Sequence, residues 1–228
     1  MCSRYTLTSP HEAVRAYFRY LNEAVFPPRY NIAPSQPVAI VRNTPKHERE
    51  MALVRWGLIP SWVKDPREFK MLINARSESV ADKPSFRAAV RHKRCLVPAD
   101  GFYEWTGGPG AKRPHLIRPR HRGVMALGAI YENWMGADGS EIETMAILTT
   151  ASNATVSVLH DRMPVIIPPE QFELWLDCRP GTTAEIAPLL APAPDDLLDI
   201  VEVSRKLNNS RNEGPELQEP VATQPSLL

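Results

Sequence analysis

Proline occupies 23 of the 228 positions. A residue that fixes its own φ and donates no backbone hydrogen bond argues for short elements and many turns, and against a helical bundle. Between the prolines, apolar residues alternate as strands do. Residues 3–8 read as a short strand, 37–43 and 50–57 as two strands with a polar connection, and further strands fall at 94–98, 101–105, 114–118, 124–132, 142–149 and 200–203. Helical spacing is confined to short stretches. One helix opens at Pro10 with Ser9 as N-cap and runs to about Leu21, spacing Ala13, Val14, Tyr17, Phe18 and Leu21 along one face. Others are expected at 85–92, 152–158, 168–177 (anchored by Phe172, Leu174 and Trp175) and 182–190. Residues 27–36 and 58–73 read as loops, and periodicity stops near Gly214, so the expected division is a domain at 1–213 and a flexible tail at 214–228.

Three cysteines are too few and too scattered for a disulfide framework, and no CxxC pair suggests zinc. Arg4, His11, Glu12, Arg15 and Arg19 interrupt the first twenty residues, which leaves no apolar stretch for a signal peptide or membrane span there. A reducing cytoplasm is the expected setting.

The net charge of +1 hides an asymmetry. Residues 1–125 hold 22 basic and 10 acidic side chains, residues 126–228 hold 5 and 16, so the halves carry +12 and −11. This charge either builds a basic face for a polyanion such as nucleic acid, or pairs across one domain and cancels. Runs such as Arg87, Arg91, Lys93 and Arg94 are equally readable as a solvated face.

Cys2 carries the most distinctive chemistry. Loss of Met1 would leave it as the N-terminal residue, with an amine and a thiol on adjacent carbons, and such a pair condenses with an aldehyde to a five-membered thiazolidine. An α-amine titrates near 7.7 to 8.0 against about 10.4 for lysine, so its nucleophilic form is far more populated at neutral pH. The competing reading is a small apolar residue packed in a core.

Other motifs carry weaker signals. Trp56 and Trp62 flank a proline turn, as core or as a platform on which an unpaired base stacks. Glu104 sits among Phe102, Tyr103 and Trp105, where its pKa would rise and let it exchange protons near neutrality; otherwise it is a strand-edge carboxylate paired with an arginine. Residues 107–112 lack phosphate-loop spacing and read as a hairpin turn. His160-Asp161 invites a metal reading, but no second histidine cluster stands at ligand spacing.

Taken together, Met1-Cys2 with Arg4, YNIAPSQ (30–36), RWGLIPSW (55–62), INARSE (73–78), RCLVPADGFYEW (94–105), LHDRMPVII (159–167) and VSRKLNNSRNEGPEL (203–217) resemble the SRAP domain, the SOS response-associated peptidase family. The resemblance implies an α+β fold, a single β-rich domain with barrel-like mixed and antiparallel sheets and a few peripheral helices. It implies binding of single-stranded DNA and covalent capture of abasic sites, whose ring-opened sugar is an aldehyde, in the response to DNA damage. Cys2 would be the nucleophile, Asn74 would lie near the sugar, and Glu104 and His160 would move protons. Arg4, Arg76 and Arg162 would hold phosphates, with Trp62 and Trp105 against the strand. Met1 would be removed by the same site or by an aminopeptidase, and some lyase activity would accompany capture. No cofactor and no metal is required, and a monomer is expected. A cysteine-type peptidase using Cys2, Glu104 and His160 is the rival, and a plain single-strand binder a third reading. Ser3 departs from the family's usual glycine, which puts the contacts beside Cys2 in question.

Overall fold

The computed structural model describes residues 2–221. The chain runs β1 (Tyr5–Leu7), α1 (His11–Phe18), β2 (Arg29–Ile32), β3 (Pro37–Asn43), β4 (Arg49–Trp56), β5 (Asn74–Arg76), α2 (Arg87–His92), β6 (Arg94–Ala99), β7 (Gly101–Thr106), β8 (Arg113–Pro119), β9 (Met125–Met135), β10 (Glu141–Ala151), α3 (Ala154–Ser157), β11 (Arg162–Pro164), α4 (Phe172–Leu176) and β12 (Leu198–Glu202).

Five of these strands close into a ring. β10 pairs with β4, β4 with β3, β3 with β6, β6 with β9, and β9 returns to β10. The β10–β4 pairing is parallel and the other four are antiparallel. Closure removes the unpaired edges that a sheet of apolar strands would otherwise expose. β5 and β11 join β10 beyond the ring. A second, wholly antiparallel sheet runs β12-β8-β7-β1-β2. The α+β reading with a barrel-like mixed sheet holds.

The two sheets share one apolar interior. Tyr5 of β1 meets Trp56 of β4 edge-on, with ring centroids 5.4 Å apart. β6 is buried at every position, so both of its faces lie inside. Gly101 opens β7 where β8 passes close by: a Cβ there would lie 2.7 Å from Leu116 Cδ1 and 2.8 Å from the Ile117 carbonyl. Asp100, just before it, accepts hydrogen bonds from the backbone amides and hydroxyls of both Thr8 and Ser9. That carboxylate fixes the exit of β1.

Several sequence expectations are corrected. α1 ends at Phe18, because Arg19 turns left-handed (φ 57°), and Leu21 is exposed. Ser9 does not cap it, since its hydroxyl is spent on Asp100. Residues 182–190 form turns and a 3-10 turn at Ala187–Leu190, where Pro188 removes a helical donor. β2, β5 and β11 lie in segments read as loop or left unassigned.

Arg94 belongs to no solvated face. It is 1% exposed and donates to the carbonyls of Val90, Trp175 and Asp177 and to the Thr182 hydroxyl, tying α2 and α4 to β6. Residues 215–218 of the expected tail form a 3-10 turn; Leu217 is buried, and Gln218 donates to Thr6 and Tyr103. Residues 222–228 of that segment lie outside the described residues.

Part of the charge asymmetry is internal pairing. Arg29–Glu213, Arg42–Glu143, Arg49–Glu173, Lys93–Glu132, Arg113–Glu202 and Arg118–Asp199 each join the basic half to the acidic half. Arg4, Arg76 and Lys112 are outside this pairing.

Candidate active site at Cys2

The strand ladder reaches past β1 toward the chain start, because the Tyr103 amide donates to the Arg4 carbonyl (3.0 Å). Cys2 therefore runs on from a strand already held by β7. From the barrel side, Asn74 Nδ2 donates to the Cys2 carbonyl at 2.8 Å. Anchored by both sheets, Cys2 is fully buried, with its thiol 3.8 Å from the Arg4 carbonyl. A terminus tied to two sheets does not fray as most do.

Glu104, on β7, is 4% exposed. Burial raises its pKa, and the field of His160 works against that rise. Burial also pushes the Cys2 thiol well above its ordinary value, with the Glu104 charge adding to the effect. These mutual influences and the Asn74 bond bring Cys2, Asn74, Glu104 and His160 together from four separate parts of the chain.

His160 owes its position to Asn153, whose side chain caps α3 by accepting from the Val156 amide and donates to the Ala193 and Pro194 carbonyls. The ring's Nδ1 accepts from the Arg162 amide at 2.9 Å and lies 2.8 Å from Asp161 Oδ1. One nitrogen cannot do both at once. In the neutral ring the amide bond leaves the proton on Nε2; a protonated ring would instead give Nδ1–H to Asp161.

The predicted DNA contacts divide. Arg4 donates to Asn31 Oδ1 (2.6 Å) and the Leu207 carbonyl (3.2 Å), and its guanidinium stands 5.7 Å from the Trp105 ring. Arg76 is exposed and two residues beyond Asn74, hence on the same face of β5. Arg162, by contrast, is engaged by Glu78 through both terminal nitrogens and by the Thr149 carbonyl. Trp62 is 59% exposed with Phe69 against its edge, whereas Trp56 is core.

Three contributors escaped the sequence reading. Asn31 is buried beneath Arg4 and donates to the carbonyls of Asn209 and Asn212. Asn208 accepts from the Trp105 indole at 2.7 Å. Glu78 holds Arg162. All three fall inside the recognised blocks, yet a short amide or a carboxylate carries no periodic signal of its own.

A cysteine next to the chain start, held between two sheets with a buried carboxylate and an imidazole nearby, is set in a β-rich α+β fold. The chain belongs to the SOS response associated peptidase (SRAP) family, which it matches over residues 1–210. It is similar to abasic site processing protein YoqW of Bacillus subtilis, 37% identical over 96% of this chain and 99% of that protein. Abasic site processing protein HMCES of Gallus gallus is 33% identical over 89% of this chain and 69% of its own length. A solved structure of a protein from Bacteroides thetaiotaomicron superposes with a TM-score of 0.87 at 27% identity, covering 97% of this chain and all of the other.

Proposed function

We propose that this protein, once Met1 is removed, captures abasic sites in single-stranded DNA as a thiazolidine at Cys2. Met1 itself lies outside the described residues. The observation that carries the reading is the burial of Cys2 between Asn74 and the Glu104–His160 pair. The names of the relatives above supply the substrate.

The chemistry follows from the protonation states. With its pKa raised, the thiol holds its proton, so the α-amine is the group that attacks the aldehyde first. The resulting carbinolamine loses water to give an imine. Glu104, whose raised pKa keeps a proton available, serves as the acid for that departure. Sulfur then adds to the imine carbon while its proton passes to nitrogen, with His160 as carrier, and the ring closes with the loss of one water overall. Asn74 holds the Cys2 carbonyl and so orients both reacting atoms. The imine can alternatively undergo β-elimination, which gives the lyase side reaction. Met1 is removed by the same site or by an aminopeptidase.

A peptidase acting in trans needs a thiolate nucleophile, and the surroundings of Cys2 oppose one. The discriminating experiment is a denaturing gel of Met1-processed protein with a single-stranded oligonucleotide bearing one abasic site. Wild type gives a heat-stable shifted band; Cys2→Ala and an oligonucleotide without the lesion give none. Absence of the band with wild type would sink capture, and cleavage of unrelated peptides would favour the peptidase.

A further inference from the structure

Beside Cys2 opens a cleft of about 300 Å³ lined by Ser3, Arg4, Trp105, Gly110, Lys112 and Asn208. We propose that this cleft binds one backbone phosphate of the nucleotide next to the captured sugar, with Lys112 as its second cationic contact beside Arg4. The assignment rests on the capture reading, which sets the sugar at Cys2; Ser3 is one residue away and already on the cleft wall.

The lining is cationic and contains no acid. Among the described residues Arg4 meets only neutral acceptors, the Asn31 amide and the Leu207 carbonyl, and its Nε is buried without an acceptor. Lys112 has no carboxylate at ion-pairing distance among the described residues, whereas its neighbour Arg113 is paired with Glu202. Two cations left without a counter-charge on one small concave surface suit a phosphate.

The cleft is also built rather than incidental. Lys112 closes the β7–β8 connection just before β8, and that connection needs glycine: Gly107 has φ 84°, and a Cβ there would lie 2.5 Å from the Ala111 carbonyl oxygen. Asn208 then clamps the base of that connection. Its Oδ1 accepts from the Trp105 indole at 2.7 Å and its Nδ2 donates to the Lys112 carbonyl at 3.1 Å. One amide thus fixes the cleft's aromatic wall and its lysine together. Ser3 adds a hydroxyl-bearing residue at the Cys2 end.

The test is noncovalent binding of wild type and Lys112→Gln to a lesion-free single strand as salt is varied, followed by capture of an abasic oligonucleotide. Loss of one phosphate contact makes the slope of log affinity against log salt shallower by about 0.7. Because Lys112 is exposed, the variant keeps its fold, checked by an unchanged thermal midpoint. Methylphosphonate linkages, which lack the charge, are then placed singly around the lesion. At one flanking position the neutral linkage weakens wild type several-fold and Lys112→Gln clearly less, since only the Arg4 contact remains to be lost there. An unchanged salt slope, or equal losses for both proteins at every linkage, overturns the cleft assignment. Failure of wild type to form the Cys2-dependent adduct overturns the capture reading instead, and the slopes still decide whether the cleft holds a phosphate.

Discussion

Cys2→Ser is expected to form an adduct that survives denaturation only after borohydride reduction, whereas wild type forms one that survives without it. Serine keeps the α-amine, so it can still attack the aldehyde and give an imine. What it lacks is sulfur. A hydroxyl is a far weaker nucleophile toward the imine carbon, and the ring it would close reopens readily, so the variant stalls at a hydrolysable stage that hydride can trap. Cys2→Ala behaves alike under borohydride, which separates the amine's contribution from the thiol's. N-terminal mass measurement on each variant verifies that Met1 is absent. An unreduced, heat-stable adduct from Cys2→Ser would mean that sulfur takes no part in the final bond.

The second large effect is expected at Glu104. Glu104→Gln should slow capture by roughly 10²-fold or more, the range associated with loss of a positioned proton-transfer group, while leaving affinity for lesion-free DNA nearly unchanged. The same substitution should stabilise the fold at neutral pH. Burial raises the folded-state pKa of Glu104 above the ordinary carboxylate value of about 4.3. Between that value and the raised one, the folded protein holds a proton that the unfolded chain has released, so wild-type stability falls as pH rises through this window. Glutamine has no such slope. Urea unfolding at several pH values should therefore find the variant more stable than wild type at pH 7, with the gap closing as pH falls toward about 4. Equal losses of binding and capture, or a variant less stable than wild type at pH 7, would make Glu104 a structural residue.

Much of this was legible in the chain before its folding was known, and the exceptions share physical causes. Strands with clear alternation were located closely: β3 spans 37–43 as expected, and β4, β6, β7 and β8 deviate by a residue or so. β2, β5 and β11 escaped because three or four residues cannot display a period, and their pairing is imposed by β1 and β10. Segment 182–190 looked helical on spacing alone, but Pro188 and the adjoining turns outweighed it.

At the site, residue types with conspicuous chemistry stood out: a second-position cysteine, a carboxylate among aromatics, a histidine between elements. Hidden were the partners that give them geometry. Nothing local in the sequence says that Asn74 reaches the Cys2 carbonyl, or that Arg162 is occupied by Glu78, 84 positions away. The basic surplus of the first half was similarly ambiguous, because net charge cannot tell a binding face from pairs such as Arg42–Glu143 that cancel inside one domain.

The most direct measurement is the intact mass of the adduct formed with an abasic oligonucleotide and trimmed by nuclease. The expected mass is that of the Met1-less protein plus the remaining nucleotide remnant minus one water, with fragmentation locating the added mass on Cys2. A mass that retains Met1, or an adduct located on a lysine, would contradict it.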